Sequence, residues 1–69
     1  DHDRSRRRLS RRELERHLAG HGCSLLREGS KHSIWHNPTR DLRASVPRHR
    51  DIPAGTARAI CRQLAIPAP

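Results

Sequence analysis

The stretch GSKHSIWHNP, residues 29 to 38, brings together two histidines, the only lysine and the only aromatic residue of the chain. An unperturbed imidazole titrates near pH about 6.5, so a positioned histidine can take a proton from one oxygen and give one to another at neutral pH. RNA carries its own nucleophile, the 2′-hydroxyl, beside every phosphodiester. A positioned imidazole, with cations such as Lys31 to hold the phosphate, is therefore enough for cleavage, and neither a metal nor another cofactor is expected. His32, next to the tight turn at Gly29 and Ser30, and His36 are both candidates. The competing reading of each is a surface histidine that only makes hydrogen bonds.

The charge of the whole chain agrees with a phosphate-bearing partner. Fifteen basic residues stand against seven acidic ones, for a net charge of +8, and every basic residue except Lys31 is arginine. The guanidinium fork matches phosphate oxygens two at a time. So one-sided a bias in so short a chain points to a polyanion, nucleic acid first. A membrane is the poorer partner, because no stretch is long or apolar enough to span one.

Sixty-nine residues allow one domain at most, and only 32% of them are apolar, with no Phe, Tyr or Met. The core must be thin. Its expected members are Leu9, Leu14, Leu18, Leu25, Leu26, Ile34, Val46, Ile52, Ile60, Leu64 and, as one of two readings, Trp35. Cys23 and Cys61 fit no zinc or redox spacing. Read without a secretory leader, they are expected to be buried thiols in a reducing, cytoplasmic setting rather than a disulfide.

Four segments have to position these groups. Residues 1–9, with four arginines between Arg4 and Arg8, lack apolar periodicity and read either as a disordered basic arm that grips phosphates or as a plain linker. From Ser10 a helix is expected: Ser10 and Glu13 form a capping-box pattern, Leu14, His17, Leu18 and His21 recur at helical spacing, and Gly20 and Gly22 suit its end. Turn chemistry at EGSK and NPTRD then cuts the next stretch into three short strands, Cys23 to Arg27, His32 to His36 and Arg43 to Val46, expected to pair as an antiparallel meander. Ala57, Ile60, Cys61 and Leu64 mark a second helix, with Pro53 at or just before its first turn and Pro67 ending the run. His17 and His21 lie one helical turn apart, but without a third ligand they read as a solvent-lined face rather than a metal site.

Neither helix is apolar all round, so both should cover one face of the sheet. The expected fold is α+β, a two-layer α-β-β-β-α domain with a three-stranded antiparallel sheet. The other sheet face is left for function. Alternation along the middle strand puts His32, Ile34 and His36 on one side and Lys31, Ser33 and Trp35 on the other. Trp35 is then either a stacking platform for RNA bases or the filling of a core short of large side chains. Arg48 and Arg50, between the third strand and the second helix, are candidate phosphate contacts beside that helix's N-terminus.

In order and content, GSKHSIWHNP followed by VPRHRDIPAGTARAICRQLAI resembles the HicA toxin family, small ribonucleases of bacterial and archaeal toxin–antitoxin pairs. The resemblance runs from Ser10 to Ile66, making residues 10–66 the domain and 67–69 a tail. It implies a fold like that of double-stranded-RNA-binding domains. It also implies a messenger-RNA endonuclease whose catalytic histidine is His32, placed as in the family's Gly-Ser-x-His pattern, with Lys31 where a first histidine is frequent. A HicB-like antitoxin that covers this surface is the implied partner. Lys31, Trp35, His36, Arg48 and Arg50 are the accompanying RNA-binding candidates. Two rivals share the charge: a non-catalytic RNA-binding module, separated from the enzyme by turnover, and an adaptor for an acidic protein, separated by weak RNA affinity at physiological salt.

Overall fold

The computed structural model describes residues 8–69. Along the chain run β1 (Arg8–Ser10), α1 (Arg11–Gly20), β2 (Ser24–Glu28), β3 (His32–Asn37), β4 (Leu42–Pro47), β5 (Asp51–Pro53) and α2 (Ala54–Gln63). β2, β3 and β4 form a three-stranded antiparallel sheet in that order, and β1 pairs with β5 in a separate two-stranded sheet. The α-β-β-β-α succession expected from the sequence is present. The β1–β5 pair is an addition, and it takes in Arg8 and Leu9, which the sequence had assigned to the basic arm; residues 1–7 of that arm lie outside the described residues.

Both helix ends show why these segments form. Ser10, extended at φ −68° and ψ 151°, accepts a hydrogen bond from the Glu13 amide through its hydroxyl, and Glu13 accepts one from the Ser10 amide, each at 3.0 Å. Two orphan donors of the first turn are satisfied reciprocally. At the other end Gly22 adopts φ +85°, which lets the Cys23 amide reach the Leu18 carbonyl at 3.0 Å and the Gly22 amide reach Ala19 at 3.1 Å. This paired closure is the Schellman arrangement. α2 closes in the same way through the Ile66 amide on Cys61 (3.0 Å) and the Ala65 amide on Arg62 (3.1 Å), but there the left-handed position is Ala65, at φ 58°.

The core lies between the helices and one face of the larger sheet. Leu14 and Leu18 of α1, Ala57, Ile60 and Cys61 of α2, and Ile52 and Leu64 meet Trp35, Ala44 and Val46 from β3 and β4, with Leu9 and Ile66 packed at the margin. Trp35 is 8% exposed. Both cysteines are free and buried, and burial raises both thiols above the ordinary cysteine value, so they stay protonated and behave as small apolar fillers.

Three residues expected in the core are outside it. Leu25 and Leu26 are 47% and 50% exposed, and Ile34 lies half-buried on the opposite sheet face. The physical reason is coverage. Each ten-residue helix is about 15 Å long, and α1 packs chiefly against β1 and α2 against β4, β1 and β5, so among the described residues the edge strand β2 has little helix over it, while Ile34 faces the side away from both helices.

Candidate active site

Alternation on β3 fixes which side chains face away from the helices. Ser33, Trp35 and Asn37 point into the core and His32, Ile34 and His36 point out. On β4, Ala44 and Val46 are buried while Arg43 and Ser45 are exposed. Residues directly opposite one another share a face, so Arg43 stands beside His36 and Ser45 beside Ile34. The uncovered face is thus a surface of His, Arg and Ser around one isoleucine.

β2 adds a cation that the sequence reading missed. A bulge between Leu25 and Arg27 shifts the register, so that Leu25 opposes Trp35 but Arg27 opposes Ile34. Without the bulge, period-two alternation would carry Arg27 to the helix side with Leu25. The signal was present in SLLRE, where two adjacent leucines break the alternation that a half-buried strand needs. Arg27, Gly29, Ser30, Lys31, His32 and Ile34 together line an open hollow of ≈ 300 Å³.

His32 opens β3 at the rim of this hollow and is exposed, as is Lys31 beside it. Its backbone is held, while its ring makes no hydrogen bond among the described residues. The His32 carbonyl accepts from the Gly29 amide at 2.8 Å, closing the turn that joins β2 to β3. A Cβ at Gly29 would lie 3.1 Å from that same oxygen, tighter than ordinary contact, which gives glycine a local reason at this position.

The remaining candidates are distributed unequally. His36 lies four residues along the strand from His32, about 13 Å at the strand rise, and its Nε2 is 2.9 Å from Asp41 Oδ1 at the far end of the sheet. That hydrogen bond and the charge of His36 hold the Asp41 carboxyl below the ordinary aspartate range, helped by Arg43. His36 is therefore not placed to share a phosphate with His32. Arg50 is also elsewhere: with Ser10, Arg11, Arg12 and Glu15 it lines a second cleft, where its carbonyl accepts from the Arg11 amide at 2.8 Å.

Arg48 does reach the His32 turn, but its guanidinium is occupied by Gly29 and Glu28. Trp35 corrects the stacking reading. Its ring is inside the core, and its Nε1 finds no acceptor among the described residues. Only the alternative of a core-filling tryptophan fits this burial, because the chain has no Phe, Tyr or Met to fill the space instead. His17, read as a solvent-lined residue, holds the C-terminal tail through an Nε2 contact of 2.8 Å with the Pro67 carbonyl, while its ring lies 4.6 Å from that of His21.

The chemistry that this arrangement permits is proton transfer by one imidazole at the edge of a basic hollow, with Arg27 and Lys31 as electrostatic partners. No described helix is long and apolar enough to cross a membrane. Residues 11–66 match the family model described as the HicA toxin of bacterial toxin–antitoxin systems. No curated protein and no solved structure matches the chain.

Proposed function

From the premise that this chain belongs to the HicA toxin family, the toxin side of a toxin–antitoxin pair, we propose that it is a messenger-RNA endonuclease that uses His32 and requires no metal. The observation that carries this reading is the exposed His32 imidazole at the rim of a hollow flanked by Arg27 and Lys31. Single-stranded or locally unpaired RNA lies over the uncovered sheet face, its phosphates held by the two cations. The 2′-oxygen attacks the adjacent phosphorus as His32 takes or relays its proton, the bond from phosphorus to the 5′-oxygen breaks, and that oxygen leaves as a hydroxyl after protonation. The products are a 2′,3′-cyclic phosphate and a 5′-hydroxyl end.

His36, tied to Asp41 at the other end of β3, serves the RNA only as a peripheral contact. A HicB-like antitoxin, acidic enough to compete with RNA for the same surface, is the neutralising partner, and the setting is cytoplasmic. The test is an RNA carrying a single 2′-deoxy substitution at a mapped cut. Loss of cleavage at that position alone supports internal attack. Continued cutting there means that water or another group is the nucleophile and that this mechanism is wrong, and RNA binding with no cutting of any substrate makes the domain a binding module instead.

A further inference from the structure

Arg48 offers its whole fork to the turn that carries His32. Nη1 donates to the Gly29 carbonyl at 2.8 Å, Nη2 lies 3.3 Å from Glu28 Oε2, and the Arg48 amide donates to the Lys31 carbonyl at 3.1 Å. These contacts grip three of the four residues between Leu26–Arg27 and His32. From within, the same turn is closed by the Gly29 amide on the His32 carbonyl. The grip comes from the segment just after β4, whose last residue, Pro47, is the register partner of His32.

We propose that Arg48 is a positioning residue for His32 and Lys31 rather than a phosphate contact. It fixes the β2–β3 turn from outside, and so sets where the imidazole and the ammonium stand relative to the hollow. A planar guanidinium can serve a carbonyl and a carboxylate at once with fixed geometry, whereas a lysine ammonium is a point charge on a flexible stem. Glu28 completes the device by holding the other arm of the fork and offsetting its charge. The catalytic part of this proposal rests on the ribonuclease reading; the structural part does not.

The two roles give opposite results in Arg48→Lys and Glu28→Gln. For positioning, Arg48→Lys keeps the charge but loses the fork, and a misplacement of about 1 Å lowers kcat by roughly 10²-fold, with KM and the salt dependence of RNA binding unchanged. Glu28→Gln lowers kcat in the same direction, and the two effects are less than additive in the double variant. For a phosphate contact, Arg48→Lys retains activity, Arg48→Ala flattens the salt dependence by roughly 0.7 in log–log slope, and Glu28→Gln tightens RNA binding without lowering kcat.

Hydrogen exchange at the Gly29 and Arg48 amides of the RNA-free protein separates the clamp from the enzyme assignment. Protection lost at least tenfold in Arg48→Lys, with far-UV circular dichroism unchanged, establishes the clamp even if no RNA is cut. Full protection and full activity in Arg48→Lys overturn the proposal.

Discussion

Replacing Trp35 separates its two possible duties by magnitude. As the largest member of a core otherwise made of Leu, Ile, Val, Ala and Cys, it should cost about 3–5 kcal/mol when cut to Ala. A chain of this length has a total stability of roughly 3–10 kcal/mol, so Trp35→Ala is expected to remove from about a third to all of it. Trp35→Phe balances two smaller terms. The lost ring volume costs on the order of 1 kcal/mol at about 24 cal/mol per Å³. Removing the Nε1 donor, which has no acceptor among the described residues, returns a desolvation term of about 1–3 kcal/mol. The net change should lie between about zero and 2 kcal/mol of stabilisation.

Trp35→Leu, folded at low temperature, then tests recognition, since an aliphatic side chain cannot stack. In a His32→Ala background, in which the proposed mechanism leaves RNA intact, its affinity for RNA is expected to be unchanged. A stacking tryptophan would contribute about 1–3 kcal/mol per base, a 5- to 150-fold loss of affinity. Unfolding followed by far-UV circular dichroism, rather than by the fluorescence of the residue removed, supplies the stability arm. A folded Trp35→Leu protein that binds RNA tenfold more weakly refutes the core assignment.

Three further outcomes follow from local geometry. Gly29→Ala presses a Cβ against the His32 carbonyl and should slow RNA cleavage more than it weakens RNA binding; unchanged kcat would show that the turn yields freely. Ala65→Gly relieves a left-handed alanine at the end of α2, for about 1 kcal/mol of stabilisation and a rise in Tm of roughly 4–8 °C, read by thermal unfolding. The Asp41 carboxyl is held low by its hydrogen bond and charge interaction with His36. Its contribution to stability is therefore present above the ordinary aspartate value and is lost as pH falls through the lowered one. Carbon-13 NMR of Asp41 should show titration moving up in His36→Gln, and an unmoved titration would mean that the 2.9 Å contact is not maintained in solution.

Much of the fold is written in short local codes. Ser10 with Glu13, Gly22 after the apolar run, and the i, i+3, i+4, i+7 series from Ala57 to Leu64 each act through nearest neighbours in the chain, and each gives the element found. What failed to show depends on partners distant in sequence. β1 and β5 are three residues each and exist because they pair across 41 to 45 positions, with no periodicity to betray them. Arg27 reaches the open face only through a bulge, and a bulge changes facing by one residue without changing composition. His32 and Lys31 were legible as a pair because they are adjacent. Arg48 was legible as a cation near the site, but its engagement by Gly29 and Glu28 depends on contacts across nineteen and twenty positions. Leu25 and Leu26 show that apolarity is not burial: an edge strand with little helix above it leaves both about half exposed.

The most direct measurement is incubation of the protein and its His32→Ala variant with mixed messenger RNA in excess EDTA, with the new ends mapped chemically. Cutting by the parent alone, leaving cyclic phosphates, is the expected result, with His32→Ala still folded and still bound to RNA. Equal cutting by a folded His32→Ala protein would contradict the assignment of His32, and cutting by the parent that EDTA abolishes would contradict a metal-free mechanism.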